Sequence, residues 1–287
     1  MNGDQIRKCL HSGQPVYGTH VALASNSVAA TMLTMAGLDF VFLCAEHMPL
    51  DRTETAAMCC MYASKGISPI VRISHPASVE VTKALDAGAQ GIVAPYVETI
   101  EQVHDVVGAV HYRPIKGRLL KEFISGTREP SAKTTEFLNR FNRHHYTIIG
   151  IESVEAIENL EELIGVDGVD GVFVGPHDVS VSMELPEEWG DPKFHEMLEQ
   201  VVVRCRKLDV GVGVHMPPHI FTNDRAKRLM SLGMNWILDG ADVAWAIHGM
   251  KQRREALGFG PATAPTAGDG EVASCLISEQ DQPSESA

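Results

Sequence analysis

The sequence predicts an α/β protein built as a (β/α)8 TIM barrel, and three observations support this prediction. Short runs rich in β-branched residues alternate with helical patterns along most of the chain. Eight such runs are present, each followed by a helix-like stretch, which is typical of a parallel barrel rather than an open doubly wound sheet. A length of 287 residues suits one barrel domain.

The strands are predicted from apolar runs that lie between turn signals. In chain order they are Val16–Val21, Phe40–Cys44, Ile70–Ile73, Gly91–Pro95, Thr147–Glu152, Gly171–Gly175, Val210–His215 and Asn235–Asp239. The helices between them start at capping residues and stop just before glycine. Clear examples are Asn26–Ala36, Ser78–Ala87 and Ser153–Ile164.

Two segments depart from this alternation. Between the fourth and fifth strands, His111 to Pro130 forms a long connection, which we expect on the catalytic face with a substrate-covering role. The end of the chain is rich in Gly, Pro, Ser and acidic residues. We therefore predict a barrel domain over residues 1–258 and a disordered tail over residues 259–287.

The composition of the chain limits which binding partners and which cellular location we expect. A net charge of −13 argues against nucleic acid or an anionic membrane as the main partner. No apolar run is long enough to span a bilayer, and the first residues lack a signal-peptide pattern, so we expect a cytoplasmic protein. The six cysteines show neither C-x-x-C pairs nor zinc spacing, which favours reduced thiols.

Polar residues stand at the predicted carboxyl ends of the strands, where barrel enzymes place their active sites. These residues are Glu46, His47, Arg72, Glu152, Asp178, His215 and Asp239. Glu152 and Asp178 follow consecutive strands, so we expect their carboxylates to be neighbours. Either acid alone is as readily a helix cap or a solvated loop residue, but the matching positions favour a shared role.

Two carboxylates with no cysteine partner suit one hard divalent cation, Mg²⁺ first, with Mn²⁺ or Co²⁺ as substitutes. A 2-oxo acid offers two further oxygen ligands, and the metal would stabilise the enolate formed next to its keto group. Arg72 is predicted to face the same developing negative charge. His47 is the candidate base, because its ordinary pKa lies near working pH. Asp86 stands near a helix end and reaches His47 only if the fold or a neighbouring subunit brings them together.

The chain also resembles a known family through motifs that occur in order between Gly18 and Gly249. The matching runs are Ala36–Val41, Ala45–His47, Pro69–Arg72, Leu85–Gly91, Ile151–Ser153 and Gly168–Ser180. They resemble the HpcH/HpaI aldolases, which are metal-dependent pyruvate aldolases of the phosphoenolpyruvate/pyruvate barrel superfamily.

The resemblance implies a role for each matching position. His47 would be the base, Asp86 the acid that raises its basicity, and Arg72 the enolate-stabilising group. Glu152 and Asp178 would bind the metal, while the backbone amides of His177 and Asp178 would bind the substrate carboxylate. It also implies a homo-oligomer, a hexamer arranged as a trimer of dimers, with an exchanged C-terminal helix at about Val243–Leu257.

Two positions and one loop depart from the family pattern. Cys44 stands where the family has an acid near the metal-bound water, and Gly150 replaces a glutamine that contacts substrate. We expect Gly150 to leave more space in the substrate pocket and to provide one hydrogen-bond donor fewer. In the altered Tyr112–Leu119 loop the family arginine is kept as Arg118, a candidate substrate-binding residue.

The sequence thus predicts a divalent-metal-dependent lyase that reversibly cleaves a 4-hydroxy-2-oxo acid to pyruvate and an aldehyde. One alternative on the same enolate is oxaloacetate decarboxylation or capture of the enolate by another acceptor; cleavage of a citramalyl-type CoA thioester fits less well. Another alternative is a non-catalytic keto-acid-binding or assembly subunit, for which Cys44 is the positive sign.

Overall fold

The computed structural model describes residues 1–217 and 220–260. Eight parallel strands close into a barrel in chain order, which confirms the predicted (β/α)8 fold. The strands are β1 Val16–His20, β2 Phe40–Cys44, β3 Ser68–Arg72, β4 Gly91–Ala94, β5 Tyr146–Ile151, β6 Gly171–Val174, β7 Gly211–Met216 and β8 Trp236–Ala241. The predicted strands are displaced from these limits by at most two residues.

Helices surround the barrel and connect its strands. They are α1 Gly3–Ser12, α2 Ser27–Met35, α3 Arg52–Ser64, α4 Ser78–Asp86, α5 Ile100–His111, α6 Gly117–Ile124, α7 Ala132–Phe141, α8 Val154–Glu158, α9 Leu160–Ile164, α10 Pro176–Ser182, α11 Pro192–Lys207, α12 Asn223–Ser231 and α13 Asp242–Ala256. The predicted helix Ser153–Ile164 is divided at Asn159, which ends α8 and precedes α9.

Apolar side chains fill the barrel from its amino end, while its carboxyl end is polar. Phe40 stacks on Trp236 with ring centroids 5.1 Å apart, and Phe42 and Phe173 lie above them toward the carboxyl end. Helix α1 closes the amino end, where Leu10 packs against the first residues of β6 and β7. This packing leaves the carboxyl end, here called the mouth, open for chemistry.

The connection between β4 and β5 lies at the opposite end of the barrel from its expected position. Helix α5 returns the chain to the amino end, and α6 and α7 follow before β5 begins. Asn142 donates from its side-chain amide to the carbonyls of His111 and Arg113, which holds the end of this segment beside the end of α5. The expectation that His111–Pro130 covers the catalytic face is therefore wrong for a single chain.

Helix α13 buries none of its side chains in this chain. Its exchange with another subunit remains a prediction. The predicted tail, residues 259–287, lies outside the described residues except for its first two positions. Within the described part of the chain, no helix combines the length and apolar character needed to cross a membrane.

Buried histidines predict a loss of stability in acid. Burial lowers the pKa of His20 and His145 to about 4 and that of His215 to about 3. These values lie below the unfolded value of about 6.5, so the unfolded state binds more protons as the pH falls from about 6.5 toward 4. The pKa is raised at His11 by hydrogen bonding to Asp170 and at Glu152 and Asp239 by burial, and these three groups act in the opposite direction. They are outnumbered by the histidines whose pKa is lowered, which are His20, His111, His145, His195 and His215.

We therefore expect the urea midpoint of the protein, kept in EDTA, to decrease steadily between pH 7 and pH 4.5. His145→Phe should make that decrease shallower, because it removes a group whose protonation favours unfolding. An equal pH slope in His145→Phe and the wild type would contradict this assignment.

Candidate active site

Two carboxylates converge at the mouth of the barrel. Glu152 follows the last residue of β5, and Asp178 lies in the first turn of α10, just after β6. Asp178 Oδ2 and Glu152 Oε1 each lie 2.9 Å from the point that a Cβ would occupy on Gly175. The absence of a side chain at Gly175 thus lets both carboxylates approach the same point, so that they border one shared space in the mouth.

The environment of Glu152 favours a positive partner. Its side chain is 3% exposed; Oε2 accepts a 2.8 Å hydrogen bond from the Tyr96 amide, and Oε1 accepts none. Burial raises the pKa of Glu152 to about 7, against the lowering effect of Arg72, and the nearby Asp178 raises it further. A cation beside Oε1 would offset the cost of ionising this acid.

Gly150 does not leave the empty space expected from the sequence. A Cβ at this position would lie 3.0 Å from both the carbonyl oxygen of Ala94 and the Cα of Pro95, and 3.2 Å from the nitrogen of Tyr96. The turn after β4 therefore occupies the space beside Gly150. This close approach brings the Tyr96 amide to Glu152, a contact that sequence reasoning missed.

Arg72 forms the centre of an ion-pair chain in the mouth. Its Nε lies 2.5 Å from Glu46 Oε2, and its Nη2 lies 3.5 Å from Glu152 Oε1. Glu46 Oε2 is also 3.8 Å from Nε2 of His47, whose side chain is 64% exposed. Glu46 thus holds Arg72 beside Glu152, and the candidate base His47 lies near Glu46 at the open surface.

The start of α10 provides the backbone donors expected near Asp178. The first helical bond runs from the Val179 amide to the Gly175 carbonyl, 3.1 Å long. The amides of His177 and Asp178 precede that bond and lie at the positively polarised end of the helix. Their position agrees with a role in binding a carboxylate.

Asp86 and Arg118 lie outside this group of residues. Asp86 ends α4 at the amino end of the barrel, where its side chain is 53% exposed and lies 2.5 Å from Arg113. Arg118 is the second residue of α6; its side chain is 92% exposed and forms an ion pair with Glu122 at 2.6 Å. Within one chain, neither residue reaches the mouth.

The expectation that Asp239 points into the mouth is wrong. Leu238 faces the barrel interior, so the alternation of a strand directs Asp239 outward. Its carboxylate accepts a 2.7 Å hydrogen bond from the hydroxyl of Tyr17. His215 does face the interior, together with His20 at the end of β1, which the sequence analysis did not single out.

The residues present fit a cation that needs further ligands. Among residues 1–217 and 220–260, no three His, Cys, Asp or Glu side chains are grouped to hold a metal ion. Glu152 and Asp178 are a pair of oxygen donors, and a hard cation commonly completes such a site with water and substrate oxygens. Oε1 of Glu152 has no hydrogen-bond partner, although it lies 3.5 Å from Arg72 Nη2, and it borders the space shared with Asp178.

We expect Gly175→Ala to lower the affinity for divalent cations at least about tenfold, since the new methyl group would displace both carboxylates. Mn²⁺ titration followed by electron paramagnetic resonance measures this change. Gly190→Ala is the matched control, because nothing lies within 4 Å of its added carbon. Wild-type Mn²⁺ affinity in Gly175→Ala would contradict convergence of the two acids on a cation.

The described site can be compared with known proteins. A family model described as HpcH/HpaI aldolase/citrate lyase matches residues 17–248. The chain is 30% identical to the hydroxypyruvate/pyruvate aldolase of Paraburkholderia phytofirmans, with 84% of this chain and 88% of the relative covered. It is 28% identical to the 4-hydroxy-2-oxo-heptane-1,7-dioate aldolase of Salmonella dublin, with coverages of 85% and 90%.

A solved structure shares the fold. The HpcH/HpaI aldolase of Desulfitobacterium hafniense superposes with a TM-score of 0.74 at 24% identity. The alignment covers 91% of this chain and 99% of that structure. This likeness supports the barrel architecture over nearly the whole described chain.

Proposed function

The chain belongs to the HpcH/HpaI aldolase/citrate lyase family, and from this premise we propose a divalent-metal-dependent cleavage of a 4-hydroxy-2-oxo acid to pyruvate and an aldehyde. The enzyme is an aldolase, and hence a lyase, as its relatives are. The observation that carries the finer proposal is the convergence of Glu152 and Asp178 at Gly175, beside Arg72.

Glu152 and Asp178 would hold the cation, Mg²⁺ first and Mn²⁺ or Co²⁺ as substitutes. When bound, it would act as a Lewis acid on the keto oxygen of the substrate. The Tyr96 amide holds the second oxygen of Glu152, which orients the carboxylate toward the shared space. The amides of His177 and Asp178 would bind the substrate carboxylate.

Arg72 would stabilise the negative charge that develops on the keto oxygen. Its guanidinium is fixed by Glu46 and buried above the ring of Phe173, 5.5 Å from the ring centroid. A fixed charge in a poorly hydrated position interacts strongly with a developing oxyanion and needs little reorganisation.

His47 would remove the proton from the C4 hydroxyl. The C3–C4 bond then breaks, the aldehyde leaves with a new carbonyl bond, and the electron pair remains in the enolate of pyruvate. Protonation of C3 of the enolate completes the reaction. Asp86 and Arg118 would join this site from a neighbouring subunit of a homo-oligomer, because one chain keeps them at the other end of the barrel.

The proposal is tested by pyruvate release from a panel of 4-hydroxy-2-oxo acids, measured with a coupled assay before and after EDTA. Release that stops on chelation and returns with Mg²⁺ or Mn²⁺ is expected. Activity that survives complete chelation would rule out the metal-dependent reaction. Oxaloacetate belongs in the panel, because enzyme-dependent decarboxylation in the absence of aldol cleavage would favour the alternative reaction.

Cys44 provides a more specific prediction. Its side chain is buried, and the amide of His47 donates to its Sγ at 3.4 Å. An aspartate there would accept the same amide and add a negative charge near Arg72. We expect Cys44→Asp to change the metal affinity or turnover by about three- to tenfold, while Cys44→Ser changes either by less than about twofold. Equal values in the wild type and both variants would show that this position has little influence on the site.

A further inference from the structure

Two histidines in the mouth have no role in the proposed reaction. Four polar side chains stand at the carboxyl ends of the odd-numbered strands, namely His20 on β1, Arg72 on β3, Glu152 after β5 and His215 on β7. Arg72 and Glu152 are assigned to the donor half of the substrate. His20 and His215 form the remaining part of this layer, here called the histidine pair.

The histidine pair is a compact and uncharged element. The two rings meet edge to face, with centroids 6.4 Å apart and an interplanar angle of 87°. His20 also meets the ring of Phe42 at 5.8 Å. Burial is the main cause of the low pKa of each ring. The negative charge of Asp242 raises the pKa of His20 in part, and the positive charge of Arg72 lowers the pKa of both rings. Both imidazoles are therefore neutral at neutral pH.

The hydrogen bonding of the pair leaves polar atoms available. His215 Nε2 lies 3.3 Å from the carbonyl oxygen of Gly240, which can only accept, so we assign the ring hydrogen to Nε2. In that tautomer Nδ1 of His215 is a hydrogen-bond acceptor. Nε2 of His20 is buried and has no hydrogen-bond partner. An unsatisfied atom of this kind in a wall of the mouth is costly unless a ligand or water meets it.

The charge of the surroundings selects the kind of ligand group. Arg72 is the single Lys or Arg in the eight strands, all of which the structure describes, and it is already paired with Glu46 and Glu152. A second carboxylate beside the histidine pair would therefore lack a positive partner in the barrel wall. A hydroxyl group can donate to Nδ1 of His215 without bringing charge.

We propose that His20 and His215 form a subsite that binds the hydroxyl group of an uncharged hydroxyaldehyde, the acceptor half of the substrate. This inference rests on the proposed aldolase function. It predicts that the enzyme prefers a short hydroxyaldehyde to an apolar aldehyde of similar size and to an aldehyde that carries a carboxylate.

The experiment measures kcat/KM for addition of pyruvate to glycolaldehyde, propanal and glyoxylate. We expect the wild type to favour glycolaldehyde over propanal by at least about tenfold, the value of one well-formed hydrogen bond. His20→Phe and His215→Phe should each reduce that ratio to about one. His215→Asn, which keeps a polar atom near the position of Nδ1, should retain part of the preference. His104→Gln on α5 is the control, with an unchanged ratio.

The outcomes separate this inference from the proposed function. If the wild type adds pyruvate to aldehydes but the ratio is the same in the wild type and both phenylalanine variants, the subsite is overturned. A wild-type preference for glyoxylate or propanal overturns it as well. Deuterium exchange of the pyruvate methyl group tests the function itself, and a wild type without exchange or aldol addition would overturn both.

Discussion

Glu152→Gln should reduce cleavage of a 4-hydroxy-2-oxo acid at least about 10³-fold and weaken Mn²⁺ binding by a similar or larger factor. The substitution preserves the size of the side chain and removes its charge. Glu152 is buried, faces the space shared with Asp178 and leaves Oε1 without a hydrogen-bond partner. A neutral amide at this position would place an NH₂ group or an uncharged oxygen where a cation needs a carboxylate.

The experiment pairs activity with metal binding. Glu155→Gln is the matched control, because Glu155 is exposed in the first turn of α8, three residues farther along the chain. The control should keep both properties within about twofold. Glu152→Gln with normal turnover, or with lost turnover but unchanged Mn²⁺ binding, would contradict the role of Glu152 as a metal ligand.

Arg72→Ala should also reduce turnover at least about 10³-fold, but with little loss of cation affinity. The guanidinium contacts both Glu46 and Glu152, so it would lie beside the keto oxygen of a substrate bound at these acids. Removing the guanidinium would leave Glu46 and Glu152 without their positive partner. Two unpaired negative charges near the metal favour cation binding. The effect should therefore appear in catalysis.

Arg72→Lys tests whether charge alone is sufficient. A lysine keeps the charge, but its single ammonium group cannot reproduce the planar contacts of arginine with two acids. We expect a loss of at least about 10²-fold, measured as kcat/KM, and wild-type values for Arg52→Ala at the exposed start of α3. Full activity in Arg72→Lys would show that the orientation of the group is unimportant, whereas full activity in Arg72→Ala would remove Arg72 from the mechanism.

Much of the fold could be predicted because the barrel repeats one pattern. Buried strands of a parallel barrel are short apolar runs, and each helix ends at recognisable caps, so the eight strands were found within two residues. The carboxyl ends of parallel strands meet at one face, which places Glu152 and Asp178 together. The break at Asn159 could not be predicted, because the division between α8 and α9 has no clear signal in the sequence.

The remaining features depend on three-dimensional contacts that one sequence does not reveal. Asp239 faces outward because a strand alternates residue by residue, and an error of one position reverses its side. Gly150 is filled by the turn at Pro95 and Tyr96, although its sequence position suggested empty space. Asp86 is the last residue of α4 and Arg118 follows α5, so both lie at the amino end, and a site that uses them needs another chain.

The most direct test of the central claim is the exchange of solvent deuterium into the methyl group of pyruvate, followed by proton nuclear magnetic resonance. This reaction requires formation of the enolate but no aldehyde, so it does not depend on which acceptor the enzyme uses. Our account predicts exchange in the wild type, its loss after EDTA, and its return with about one Mg²⁺ or Mn²⁺ per chain. Exchange that continues unchanged after complete chelation, or that never occurs in the metal-loaded protein, would contradict the account.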